Sequence, residues 1–199
     1  MARTRASDFE EKQHGILLGA AAVFAEQGME KASMAQIASQ LNVSKALLYH
    51  YYPSKDDLIF AIIHTHLVEL EACVAAAIDD ALPPEDQLRV LAKIVLEKYR
   101  GADNAHKVQL VGVATLGEPR REEIREVERQ IVRHFSRVLA RINPALDNAE
   151  RPLLMPVTMS LFGILNWAYM WFREGGVISR EDYADLAMTL VLEGIQAVR

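Results

Sequence analysis

The chain has 199 residues, 51% of them hydrophobic and 25% charged, which is the composition of a soluble globular protein with a sizeable core in one or two domains. Read as sequence, it offers no apolar run of bilayer-spanning length, and its basic start is followed by acids rather than the apolar stretch of a secretory signal. The single cysteine, Cys73, has no internal partner and suits a reducing cytoplasm as a small buried hydrophobe.

Net charge is −5, which argues against a nucleic-acid partner over the whole surface. Residues 1–55 nevertheless hold six basic and five acidic side chains. That end therefore stands at +1 and the remainder at −6, a distribution that suits a protein touching phosphate at one end only.

Helical periodicity runs through the chain and no stretch alternates like a strand. Phe9 to Gln27 carries an apolar stripe and Gly28 stops it. Ser33 caps a short helix over Met34 to Leu41, and Ser44 caps another over Lys45 to Tyr51. Pro53 ends that one, and Ser54 opens a long helix through about Asp79. After Pro83-Pro84, amphipathic helices are predicted over Glu85–Arg100, Ala105–Leu116 and Arg120–Ile142. Pro152–Arg173 is an apolar helix, and Ser179 with Asp182 forms a capping box for the last, Arg180–Ala197. The expected fold is all-α, with about nine helices. Its division is a head over residues 1–55, extending into the helix from about Ser54, and a body over 56–199.

The most informative stretch is Met34 to Tyr52. Two short helices with little chain between them can cross steeply, and such a pair fits a DNA major groove. The crossing needs a small residue, supplied by Ala38, and a turn residue that tolerates positive φ, supplied by Asn42. Ile37, Leu41, Val43 and Leu48 furnish the apolar lock. No single residue carries this reading: Leu48 and Tyr52 read as core, and a lone lysine at a helix start is usually just solvated. The joint spacing carries it.

These residues resemble the TetR family of transcriptional repressors. Ile37-Ala38, Val43-Ser44-Lys45, Leu48-Tyr49-His50-Tyr51-Tyr52 and Ser54-Lys55-Asp56-Asp57-Leu58 follow the family signature closely, and Ala20 through Gly28 looks like its first helix and glycine stop. The resemblance covers roughly the first sixty residues. Asn42 departs from the usual glycine and Tyr52 from the frequent phenylalanine. The resemblance implies a helix-turn-helix that binds a double-stranded operator. Ser44 and Lys45 would then stand at the start of the recognition helix, Ala46 and Leu47 at base edges, and His50 one turn on. Tyr49 and Tyr51 would donate to phosphates, as would Ser33 and Lys55 at helix starts. Arg3 and Arg5 would form a basic arm.

The body shows no phosphate loop, zinc-binding helix motif or nucleophile elbow, so neither enzyme activity, a cofactor nor a metal is expected. His64 and His66 are two apart on a helix and point to different faces. Leu161 to Phe172 is apolar nearly all round and must be buried on several sides. Within it Asn166 needs a partner, in the core or across a dimer, or else anchors a ligand. Tyr99, His106, Gln109, Gly112, Met159, Gly163, Asn166, Trp167 and Met170 are candidates for the wall of an effector pocket, although aromatic and methionine stripes are more often packing.

The TetR resemblance also implies a homodimer through the last two long helices, with Leu186, Leu190, Ile195 and Val198 beside the small Ala187 and Gly194. The run Phe162-Gly163 through Trp167 looks like TetR-like regulators of fatty-acid, aromatic-acid and steroid breakdown, several of which sense acyl-CoA. Arg100, Lys107, Arg120 and Arg121 would then be available for the CoA phosphates. The expected function is a cytoplasmic repressor released from a palindromic operator by a hydrophobic effector. A helical carrier or enzyme for a hydrophobic small molecule, or a dimeric adaptor, is the alternative.

Overall fold

The computed structural model describes the backbone of residues 2–198 and the side chains of residues 11–198. The arm expected of Arg3 and Arg5 falls on side chains outside the described residues. Among the described residues ten α-helices follow one another: α1 (Ala2–Gln27), α2 (Met34–Gln40), α3 (Lys45–Tyr51), α4 (Lys55–Ala76), α5 (Pro84–Lys98), α6 (Asp103–Gly112), α7 (Glu118–Ile142), α8 (Leu154–Asn166), α9 (Ala168–Trp171) and α10 (Arg180–Ile195). The only extended pairing among them is an isolated bridge between Asp147 and Pro152. The fold is all-α, as expected.

The helices form two compact units, residues 1–68 with 101–125 and residues 69–100 with 126–199. In the first, α1 packs on α2 and α6. Its stripe of Ile16, Leu17, Ala20, Val23 and Phe24 is buried, and Gly28 ends it at φ 82°, a conformation in which only glycine is at ease. Gly19 is a close-approach position that periodicity does not reveal: a Cβ there would collide with Leu41 Cδ2.

In the second unit α10 packs on α5 and α8. Leu88, Leu91, Ala92 and Val95 of α5 meet a face of Tyr183, Ala184, Ala187, Met188 and Ile195 on α10, all buried. Phe135 and Phe162 join α7 to α8 edge to face at 4.9 Å. Arg180 is 6% exposed. It donates to Leu96 O at 3.2 Å, pairs with Glu174 and covers the Phe172 ring at 4.9 Å. One guanidinium thus anchors the turn between α9 and α10 onto α5.

Several expectations need correction. The apolar helix predicted over Pro152–Arg173 is two helices that break at Trp167, whose N–H bonds back to Gly163 O at 3.2 Å. It is also not buried all round, because Met155, Met159, Trp167, Met170 and Trp171 are exposed. The long helix stops at Ala76 rather than Asp79, because the buried Gln87 claims the backbone beyond it. Its amide accepts from Asp79 N at 2.7 Å and donates to Ala77 O at 2.9 Å. Finally, α4 does reach membrane-spanning length and apolarity, at 22 residues. Its apolar residues have a protein core to fill: Leu58, Ile59, Ile62, Ile63, Leu67, Leu70 and Val74 are all buried. Cys73 on the same helix is half-buried rather than enclosed.

Candidate nucleic-acid interface

The interface is assembled from two caps and one unusual turn. Ser33 Oγ accepts from Gln36 N at 3.2 Å while the Gln36 side chain accepts from Ser33 N at 2.9 Å, a complete capping box at the start of α2. Ser44 Oγ accepts from Leu47 N at 3.1 Å and opens α3. Between them Asn42 stands at φ 53°, the one non-glycine among the described residues with positive φ. Val43 N then bonds back to Ala38 O at 3.0 Å, folding the turn under α2. Ile37, Ala38 and Leu48 close the crossing with at most 1% exposure each, so α3 is held on its inner side only.

The residues expected to contact DNA differ in exposure along α3. Lys45, Ala46, Tyr49 and His50 are exposed, while Leu47 and Tyr51 are half-buried. Tyr51 meets the His50 ring edge-on at 5.7 Å. Tyr52 is 4% exposed and belongs to the core, as read from sequence, with burial raising its hydroxyl above the ordinary pKa.

Lys55 does something sequence spacing did not indicate. Its ammonium donates to Met29 O at 2.7 Å, with Ala32 O at 3.3 Å and Glu30 O at 3.4 Å. The turn after α1 exposes carbonyls that the helix no longer satisfies, and a four-carbon stem reaches them. Lys55 thus braces the α1–α2 turn against the start of α4, at the helix start where a phosphate contact is expected of it.

The effector candidates fall in both units. His106, Gln109 and Gly112 belong to the first unit; Tyr99, Met159, Gly163, Asn166, Trp167 and Met170 belong to the second. His106 is 1% exposed and faces His66, with ring centroids 6.4 Å apart. Gly112 opens on no cavity: a Cβ there would meet Ile59 and Ile63 at 3.1 Å and Met29 at 3.3 Å. Tyr99 and Asn166 are brought together, Tyr99 Oη donating to Asn166 Oδ1 at 2.7 Å. The amide oxygen is thus met inside the unit. Met159, Gly163, Trp167 and Met170 share an outward stripe of α8 and α9 with Met155.

Of the residues available for CoA phosphates, Arg100 pairs with Glu97 at 2.9 Å, Arg120 with Asp57 and Arg121 with Glu118, and Lys107 is exposed. His64 and His66 diverge as their spacing requires, His64 toward Glu123 at 3.4 Å and His66 toward His106. On α10, Leu186 and Leu190 are exposed, whereas Ala187 and Ile195, expected at a dimer face, lie in the core.

Residues 16–62 match the family model of bacterial regulatory proteins of the tetR family, and residues 81–195 match that of the tetracyclin repressor-like C-terminal domain. Among curated proteins, the chain is 33% identical over 79 residues to the transcriptional regulator HbdR of Aromatoleum, covering 40% of this chain. That match spans only 34% of HbdR's own length. It is 24% identical over 198 residues to the transcriptional repressor KstR2 of Mycobacterium tuberculosis, covering 96% of both. A TetR-family regulator from Bordetella parapertussis superposes with a TM-score of 0.83 at 29% identity, covering 92% of this chain and 95% of that one. AibR, solved with isovaleryl coenzyme A and operator DNA, gives 0.75 at 25% identity, covering 89% and 96%. With both of its parts matched, the chain belongs to the TetR family of DNA-binding transcriptional regulators.

Proposed function

We propose that the chain is a homodimeric repressor that binds a palindromic operator and releases it when a hydrophobic effector binds. The observation that carries this reading is the outer face of α3, where a Ser44-capped helix presents Lys45, Ala46, Tyr49 and His50 together. Ser44, Lys45, Tyr49 and Tyr51 hold the phosphates, with Ser33 joining from the start of α2. Ala46 and Leu47 meet base edges through apolar contact, such as with thymine methyls. Residues 1–55, running on into α4, form the DNA-binding part, and 56–199 form the effector-binding and dimerisation part.

Two recognition helices must meet half-sites about one helical turn (~34 Å) or a multiple apart, which calls for a dimer. The exposed stripe of Met155, Met159, Gly163, Trp167 and Met170, with Leu186 and Leu190 on α10, supplies its apolar face. A subunit face thus takes the place of the pocket wall expected of Met159, Gly163, Trp167 and Met170. An effector inside the second unit meets Tyr99 and Asn166 as its polar handle, and an acyl-CoA thioester is the leading class because the similar AibR was solved with one. The effector acts by binding the released state better than the DNA-bound state. The setting is the cytoplasm, where operator and thioester both occur.

Operator fragments selected from a random duplex library test the interface. Lys45→Ala and Tyr49→Ala are expected to lower affinity, with the salt slope falling by about 0.9 for each phosphate that is no longer neutralised. Unchanged affinity and slope would remove α3 as the reading element. Native mass spectrometry against acyl-CoA and free-acid panels tests the effector.

A further inference from the structure

The start of α4 is gripped from two directions within the first unit. On one side Lys55 is drawn onto the carbonyls of the α1–α2 turn. On the other, Asp57 is shared between two groups. Ser54 Oγ donates to Asp57 Oδ2 at 2.5 Å, and Arg120 of α7 donates to Asp57 Oδ1. The Arg120 guanidinium also lies 5.4 Å from the centre of the Phe60 ring. Phe60 stacks on His64 at 5.2 Å, and His64 Nε2 stands 3.4 Å from Glu123 Oε1. Arg120, Phe60, His64 and Glu123 thus make two rungs between one face of α4 and the first turns of α7.

The Asp57–Arg120 pair is only partly exposed, at 26% and 37% for the two side chains, so solvent screens it less than a fully exposed surface pair. The helix it grips is coupled tightly to α3. Only Tyr52, Pro53 and Ser54 separate the two, and Tyr52 is buried. A rotation of α4 about its own start therefore carries the end of α3 with it. The carboxylate also matters electrostatically. Without its arginine, Asp57 would be an uncompensated negative charge two residues after Lys55, in the part of the chain that approaches phosphate, and like charges there oppose association.

We propose that Arg120 is a positioning residue for operator binding: it neutralises Asp57 and fixes the start of α4, and through it the set of α3, without itself touching DNA or effector. This rests on the reading of α3 as the DNA-contacting helix. It gives Arg120 a task other than holding a CoA phosphate. Phe60 and His64 complete the clasp by offering the guanidinium a ring face and by tying down the next turn of α7.

The test uses the full chain and a duplex selected by the wild type, titrated over a range of salt concentrations. Arg120→Gln is expected to weaken binding about tenfold, with the salt slope falling by clearly less than the about 0.9 that losing a phosphate contact brings, because the phosphate-holding side chains stay in place and only a screened repulsion is added. Adding Asp57→Asn in that background is expected to restore affinity to within about threefold of wild type, since the unpaired charge is gone. Restoration is a result that general loss of stability would not produce. Arg120→Lys, which keeps the charge but not the planar fork, should fall between the two, and it serves if Arg120→Gln folds poorly. Binding by Arg120→Gln equal to wild type, a salt slope lower by about 0.9, or no restoration by Asp57→Asn would each overturn the proposal. A wild-type chain that selects no duplex would instead remove the α3 reading, and this proposal with it.

Discussion

The hydroxyl of Tyr99 donates to the side-chain carbonyl of Asn166 at 2.7 Å. Tyr99 caps the end of α5 and Asn166 is the last residue of α8, so the bond fastens two helix ends inside the second unit. Tyr99 is 4% exposed, and burial holds its hydroxyl protonated well above the ordinary tyrosine range.

Removing the acceptor should therefore cost more than removing the donor. Asn166→Ala takes the acceptor from a buried hydroxyl and is expected to destabilise by about 1–3 kcal/mol, against roughly 1 kcal/mol for Tyr99→Phe. The double variant should lose less than the sum. Urea unfolding of all four chains measures this, and simple additivity would show that the two groups are uncoupled.

Asn42 makes the turn between α2 and α3 at φ 53°. Asn42→Gly should leave stability within about 0.5 kcal/mol of wild type, because glycine adopts this backbone freely. Asn42→Val should cost about 1–2 kcal/mol, because a branched Cβ collides with the following carbonyl there. Thermal melts with operator titrations decide the matter: the valine variant should lose both stability and affinity.

Acid sensitivity should come in part from the charged face of α7. Hydrogen bonds from Arg133 and then Arg129 hold Glu126 down to about 2, from an ordinary 4.5. A carboxylate depressed in the folded state adds stability that is present above its unfolded value and is lost as pH falls through its folded value. Stability is thus expected to decline between about pH 4.5 and pH 2. Glu126→Gln should flatten that part of the profile, and an NMR titration should place the Glu126 midpoint near 2. A midpoint at the ordinary value would mean that the arginines are not held against it in solution.

The apolar stripe on α8 and α10 should be a subunit interface. Met159 is 52% exposed and Leu190 64%, so charging them adds little strain to the isolated fold. Met159→Glu with Leu190→Arg is expected to turn a dimer into a folded monomer by analytical ultracentrifugation and to weaken operator binding by at least about tenfold. A dimer that survives both changes would place the interface elsewhere.

Local features of this protein were legible in its sequence because they depend on near neighbours. Ser33, Ser44 and Ser179 cap the helices they precede, Asn42 turns and Gly28 stops, since each needs only the backbone within a few residues. The same holds for the outward set on α3, because the positions that lock the crossing leave the rest facing out. What the sequence could not determine is which distant group claims a side chain. Lys55 lies 26 residues from Met29, its acceptor, and Arg120 63 from Asp57. Tyr99 finds Asn166 across 67 residues. The break at Trp167, the end of α4 and the inward turn of Ala187 and Ile195 were likewise decided by packing. Periodicity gives the face of a helix, but only the folded chain settles which surface meets that face and which is left exposed.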